Sequence, residues 1–254
     1  MDLGAIFFDL DETLVSYEAA EEAGFSASEA RLKALRPGLP AGRLRDEALR
    51  TYFARFAPGM PEFSRLATLP TRTLRRELTA SALAALNVAD KALLEALLDA
   101  YEAAYESSFS VYPDVLPTLD ALKSHFRLGI ITNGPGPMQR EKLEKFGLTH
   151  YFDPILVDTE VGVSKPDTAI FRHAERLAQL PPERLLFVGN DLEADVGGAR
   201  AAGWQNIWIK RGDSSLQENR GGIVAITRLA ELLSQEKILA IVRGGEICRY
   251  NGNR

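Results

Sequence analysis

Phe7-Phe8-Asp9-Leu10-Asp11-Glu12-Thr13-Leu14 sets two carboxylates two residues apart, just where the apolar run Ala5–Phe8 stops. A short run with no polar member suits a strand buried on both faces of a parallel sheet. In open parallel sheets ligands gather at the carboxyl ends of the strands, so both acids would stand at the mouth of a site. An ionised carboxylate there can act as nucleophile or metal ligand, and its neighbour as general acid and base. On its own, Asp-x-Asp is equally ordinary turn chemistry, because Asp favours loops and helix caps.

Working outward, four more apolar runs follow at Arg127–Thr132, Pro154–Val157, Leu185–Val188 and Ile207–Lys210. Helical patterns alternate with them at Val115–His125, Met138–Phe146, Asp167–Leu180, Leu192–Ala202 and Thr227–Ser234. Gly147 and Gly203 suit helix ends, and Pro166 and Pro181-Pro182 bracket the third helix. This alternation predicts an α/β fold with a doubly wound, Rossmann-like parallel sheet. It breaks between Ser16 and Ser110, a stretch rich in Ala, Leu, Arg and Glu with no convincing strand. Leu74–Ala85 and Lys91–Ser107 read there as amphipathic helices, the second capped by Asp90, and Pro37, Pro40, Pro58, Pro61 and Pro70 mark breaks. The stretch is far longer than the dozen or so residues a crossover needs. The expected organisation is an α/β core from 1–15 and 111–236, an inserted all-helical domain at 16–110, and a tail at 237–254 where Gly244-Gly245 suits a hairpin turn.

Three further strand ends carry chemistry. Thr132 closes the second run, and the N–H groups of Asn133 and Gly134 follow it. A hydroxyl with backbone donors makes a phosphoryl cradle, although Thr-Asn-Gly alone is commonly just a turn. Lys165 sits in Gly162-Val163-Ser164-Lys165-Pro166 before a helix, where a cation can neutralise phosphoryl oxygens; most lysines are simply solvated. Gly189-Asn190-Asp191-Leu192-Glu193-Ala194-Asp195 ends the fourth run, with Asp191 and Asp195 at i and i+4, on one helical face. Acids at a helix start are also favoured by its dipole. Together the four ends bring acids, a hydroxyl and a lysine, a set suited to Mg²⁺ and a phosphoryl group.

These motifs, in this order, resemble the haloacid dehalogenase-like hydrolase superfamily from Asp9 to about Gly203, with the helical insert where that family carries a cap after its first strand. The resemblance implies that Asp9 attacks phosphorus to form an aspartyl-phosphate. It implies that Asp11 protonates the leaving alcohol and then activates water. Thr132 and Asn133 would bind the phosphoryl group, with Lys165 stabilising both it and Asp9. Magnesium would be held by Asp9, the Asp11 carbonyl and an acid of the fourth motif. Many relatives have Gly-Asp at the start of that motif, whereas Asn190 intervenes here. Asp191 is read as the direct ligand and Asn190 as its rival, with Asp195 a water-mediated or orienting partner. The true dehalogenases lack the second acid of the first motif, so the presence of Asp11 favours phosphoryl chemistry.

The implied activity is hydrolysis of a phosphomonoester on a small phosphorylated metabolite. The alternatives are a phosphotransferase of the sugar-phosphate mutase type and a non-catalytic binding or signalling module on the same fold. Composition agrees with an enzyme of the cytoplasm. A net charge of −5 carries no electrostatic footprint for nucleic acid. The single cysteine, Cys248, excludes an intrachain disulfide. No run of about 18 apolar residues is present to span a membrane, and no basic-then-apolar leader opens the sequence. Substrate choice is expected to lie in the insert, where Tyr52, Phe53, Phe56 and Phe63 serve as core or as cleft lining.

Overall fold

The computed structural model describes residues 3–56, 62–212 and 223–234. Pro58, Pro61 and the tail at 237–254 with its Gly244-Gly245 pair lie outside the described residues, as do the side chains of Phe56 and Phe63. The strands are β1 (Ala5–Phe8), β2 (Val15–Ser16), β3 (Ser110–Val111), β4 (Arg127–Thr132), β5 (Ile155–Val157), β6 (Leu185–Gly189), β7 (Gln205–Ile209) and β8 (Val224–Ile226). The helices are α1 (Tyr17–Leu35), α2 (Leu44–Phe56), α3 (Phe63–Leu66), α4 (Thr71–Ala85), α5 (Lys91–Ser108), α6 (Val115–Leu122), α7 (Gly136–Lys145), α8 (Asp158–Val161), α9 (Thr168–Ala178) and α10 (Gly198–Ala201). Thr227–Ser234, expected to be helical, holds only a 3₁₀ turn at Leu229–Leu233.

Two compact units divide the chain. One holds Val111–Gly134 with the described residues before Ser16 and after Glu141; the other holds Ser16–Ser110 with Pro135–Glu141. The chain leaves the first unit at β2 and returns at β3, and these two short strands pair with each other.

The first unit is built on a six-stranded parallel sheet of order β5-β4-β1-β6-β7-β8. The apolar character of β1 follows from its place. It lies between β4 and β6, with Phe8 opposite both Ile130 and Val188, and all four of its residues are buried. On one face Ala5 and Phe7 pack with Ile170, Phe171, Ala174 and Ala178 of α9, with Phe187 and with Trp204. Alternation sends Ile6 and Phe8 to the other face, where Phe8 meets Phe152. The chain winds from β1 towards β5, then crosses back to build β6 to β8 on the other side. Winding therefore reverses at β1, and such a reversal opens a crevice at the carboxyl ends of the strands.

In the helical unit α1 runs along α5. Its buried residues, Ala20, Gly24, Ser28 and Leu32, recur every four positions, but only two are hydrophobic. That is why the apolar pattern singles out α4 and α5 and passes over the longest helix. Gly24 is obligatory in its place, because a Cβ there would stand 2.8 Å from the Tyr101 ring. Ser28 buries its hydroxyl by donating to the Leu97 carbonyl at 2.7 Å. Asp90 caps α5 as expected, accepting from the Leu93 N–H at 3.0 Å. Tyr52 packs with Leu66, Leu74 and Met138, whereas Phe53 is 68% exposed and meets the Tyr52 ring edge-on.

Candidate active site

Asp9 is the first residue beyond β1, and its N–H still donates to the Val188 carbonyl at 3.0 Å. The following loop closes on itself, with Leu14 and Val15 N–H groups both donating to the Leu10 carbonyl. Two residues outside the expected set strap this loop down. Tyr112 donates its hydroxyl to Glu12 at 2.7 Å. Arg211 donates through Nε and Nη2 to the Thr13 carbonyl, at 3.1 and 2.6 Å, and through Nη1 to both Asp114 oxygens. Arg211 lies two residues past β7, so the strand-end rule that flagged the other motifs was the signal for it.

The ends of β4 and β5 join the Lys165 loop in two places. Asn133 donates through Nδ2 to the Lys165 carbonyl and accepts the Lys165 N–H, both at 3.0 Å. Asp158, the first residue of α8, accepts from the Gly134 N–H at 2.8 Å and from the Ser164 hydroxyl at 2.7 Å. Burial pushes the Asp158 carboxyl upward, against these hydrogen bonds and the Lys165 charge. Thr132, at the end of β4, is 1% exposed.

At the end of β6, Gly189 leaves room for one particular side chain. A Cβ there would come within 2.3 Å of Asp195 Oδ2, so Asp195 can fold back over the strand end only because Gly189 has none. Asp195 Oδ2 accepts the Asp191 N–H at 2.9 Å. The expected i, i+4 face does not form in the simple way. Leu192–Gly197 is wound as a wider π-type turn, and Asp191 caps it, accepting from the Glu193 and Ala194 N–H groups at 2.8 and 2.7 Å. Asp191 is thus exposed and Asp195 buried. The Asn190 side chain takes the other direction, its Oδ1 accepting from the Thr13 hydroxyl at 3.3 Å.

Lys165 draws these strand ends together, donating to Asp9 Oδ1 at 2.7 Å and to Asp195 Oδ1 at 2.6 Å. All three side chains are almost wholly buried. Burial pushes the Asp9 carboxyl up to about 7; Lys165 opposes this, and the nearby Asp195 and Asp11 charges add to it. Burial alone would depress the Lys165 ammonium, but Asp195 and Asp9 outweigh it and hold it above the ordinary lysine range. Asp11 has its own lysine: Lys142 of α7 donates to both its oxygens, at 2.8 and 2.7 Å. Sequence reading missed Lys142, which looks like any helix-surface lysine.

Among the described residues no three acids, histidines or cysteines converge as a ready-made metal cage. Mg²⁺ does not need one, since it takes one or two carboxylates, keeps several waters and bridges to substrate phosphate. The donor chemistry here fits that ion. Two buried acids share one ammonium, which leaves an excess of negative charge beside hard oxygen donors.

The family model for haloacid dehalogenase-like hydrolases matches residues 3–203. The chain belongs to this family. A glyceraldehyde 3-phosphate phosphatase of Methanopyrus kandleri is 31% identical to this haloacid dehalogenase-like hydrolase over 217 residues, covering 85% of this chain and 88% of its own. A phosphoserine phosphatase of Thermus thermophilus is 39% identical over 105 residues, 41% of this chain and 42% of its own. The crystal structure of an HAD phosphatase from Thermococcus onnurineus matches with a TM-score of 0.64 at 27% identity, over 93% of this chain and 98% of that one.

Proposed function

We propose that this haloacid dehalogenase-like hydrolase is a phosphatase that hydrolyses monoesters of small phosphorylated metabolites through an aspartyl-phosphate on Asp9. The observation that carries the reading is the buried contact of Asp9 with Lys165, itself shared with Asp195. A carboxylate so placed has an oriented cation beside it and backbone donors on the neighbouring strand end. The relatives named above, phosphatases of glyceraldehyde 3-phosphate and phosphoserine, support the substrate class.

Lys165 engages Asp9 Oδ1, so attack is assigned to Oδ2. Its lone pair forms the new bond to phosphorus as the bond to the ester oxygen breaks. The leaving alkoxide takes a proton from Asp11. Water then attacks the aspartyl-phosphate, Asp11 accepts its proton, and phosphate departs with Asp9 restored. Thr132 and the Asn133 N–H group are assigned to the phosphoryl oxygens and Lys165 to the charge that builds there, while the Gly134 N–H, expected to join them, is already taken by Asp158. Bound Mg²⁺ would supply further positive charge at those oxygens. Asp9, the Asp11 carbonyl and the end of β6 would hold it. At that end Asn190 is the better donor, since its amide faces the first loop while Asp191 is engaged as a cap. A screen of phosphorylated metabolites with Mg²⁺, reading free phosphate, tests the proposal. Release by wild type and none by Asp9→Asn is expected; turnover by Asp9→Asn would overturn the mechanism.

A further inference from the structure

Lys142 is a buried cation that the chemistry above does not use. Its side chain is 4% exposed, against 27% for the Asp11 side chain it holds. A lysine on an ordinary amphipathic helix keeps its ammonium in water while its stem lies along apolar surface. Drawing the charge inside costs desolvation that only a well-placed partner offsets. Lys142 has such a partner in Asp11, whose two oxygens it meets at 2.8 and 2.7 Å. Each acid of Asp9-Leu10-Asp11 therefore has a lysine, and the two lysines come from different strand ends: Lys165 from the loop after α8, Lys142 from the helix after β4.

A carboxylate gripped at both oxygens cannot turn freely about its side-chain bonds. Proton transfer depends on geometry before acidity, because the carboxyl must reach the oxygen it serves. We propose that Lys142 is a positioning residue for Asp11, holding its carboxylate in the one orientation from which it can serve the leaving-group oxygen. The inference rests on the reading of Asp11 as acid and base under Proposed function. It goes beyond that reading by assigning the orientation to a residue outside the four motifs.

The consequence depends on the leaving group. Esters of weakly acidic alcohols need the proton badly, while nitrophenyl esters leave with little help. Lys142→Met should lower kcat/KM about 10²-fold for alkyl phosphates and change it by less than about threefold for p-nitrophenyl phosphate. In an Asp11→Asn background the same substitution should add no selective loss, because there is no acid left to orient. A crystal structure of Lys142→Met should show the Asp11 carboxylate in another rotamer. Uniform loss across all esters, or an unmoved Asp11, would overturn the positioning role. If Lys142→Met does not fold, Lys142→Gln carries the same comparisons. A wild type that releases phosphate from no ester would instead sink the function on which the role rests, an outcome the rotamer measurement keeps separate.

Discussion

Lys165 answers two buried carboxylates with a single charge, and that imbalance shapes the behaviour of the site. Removing the ammonium with Lys165→Met leaves Asp9 and Asp195 facing each other without a cation. The expected cost is about 3 kcal/mol, seen in urea unfolding of the metal-free protein, together with loss of phosphate release. Burial of Asp9, with the neighbouring Asp195 charge adding to it against Lys165, also makes stability depend on pH. Folding raises the Asp9 pKa from 3.8 to about 7, so the folded state holds that proton more tightly than the unfolded chain. The contribution is complete below the unfolded value and is lost as pH climbs through about 7. Melting temperatures of the metal-free protein should therefore fall over that window, added Mg²⁺ should recover them, and Asp9→Asn should flatten this part of the profile. The two residues at the end of β6 are separable as well. Asn190→Ala should weaken Mg²⁺ binding in calorimetry, whereas Asp191→Ala should lose a helix cap and leave the affinity near wild type.

Helix α1 shows what one missing carbon does at the scale of an element. Gly24→Ala gains about 1 kcal/mol in helix propensity but drives a methyl group to 2.8 Å from a ring. Tyr101 has little room to yield, being stacked on Tyr105 and set edge-on to Phe25. Overpacking of this kind costs about 1–3 kcal/mol, so net destabilisation is expected in thermal unfolding, and Tyr101→Leu in the same chain should relieve it. The Asp158 bridge is a second element-scale device, since it ties the end of β4 to the Lys165 loop. Asp158→Ala should lower kcat about 10²-fold with the fold intact by circular dichroism, because small misplacements of reacting groups are that costly. Both cases bear on how far the sequence could be read. Strands such as β1 and β6 were legible because burial on two faces forces an unbroken apolar run. Helix α1 was not, because close approach to α5 selects small residues over hydrophobic ones. The acids and Lys165 were legible at strand ends, while Lys142 and Asp158 act through tertiary contacts that leave no local pattern.

At the scale of the whole molecule, the contacts traced around Asp9 and Asp11 lie within the α/β unit and draw on the segments that follow β1, β4, β5 and β6. The sheet beneath is a continuous apolar core that needs no ion to hold it together. EDTA should therefore abolish phosphate release while leaving the circular dichroism spectrum unchanged, and Mg²⁺ should restore turnover. Unfolding on chelation would contradict this picture. Among the described residues no helix is long and apolar enough to cross a membrane.

The strap from Arg211 to the Thr13 carbonyl joins positions 198 residues apart. During synthesis on the ribosome Asp9 emerges long before Arg211, so the knot that steadies its turn arrives only after β1 to β7 have been made. Nascent chains interrupted before that arginine would carry every acid and lysine of the cluster and still hold the opening turn loosely. A ladder of stalled polypeptides should thus gain activity abruptly once the arginine clears the exit tunnel.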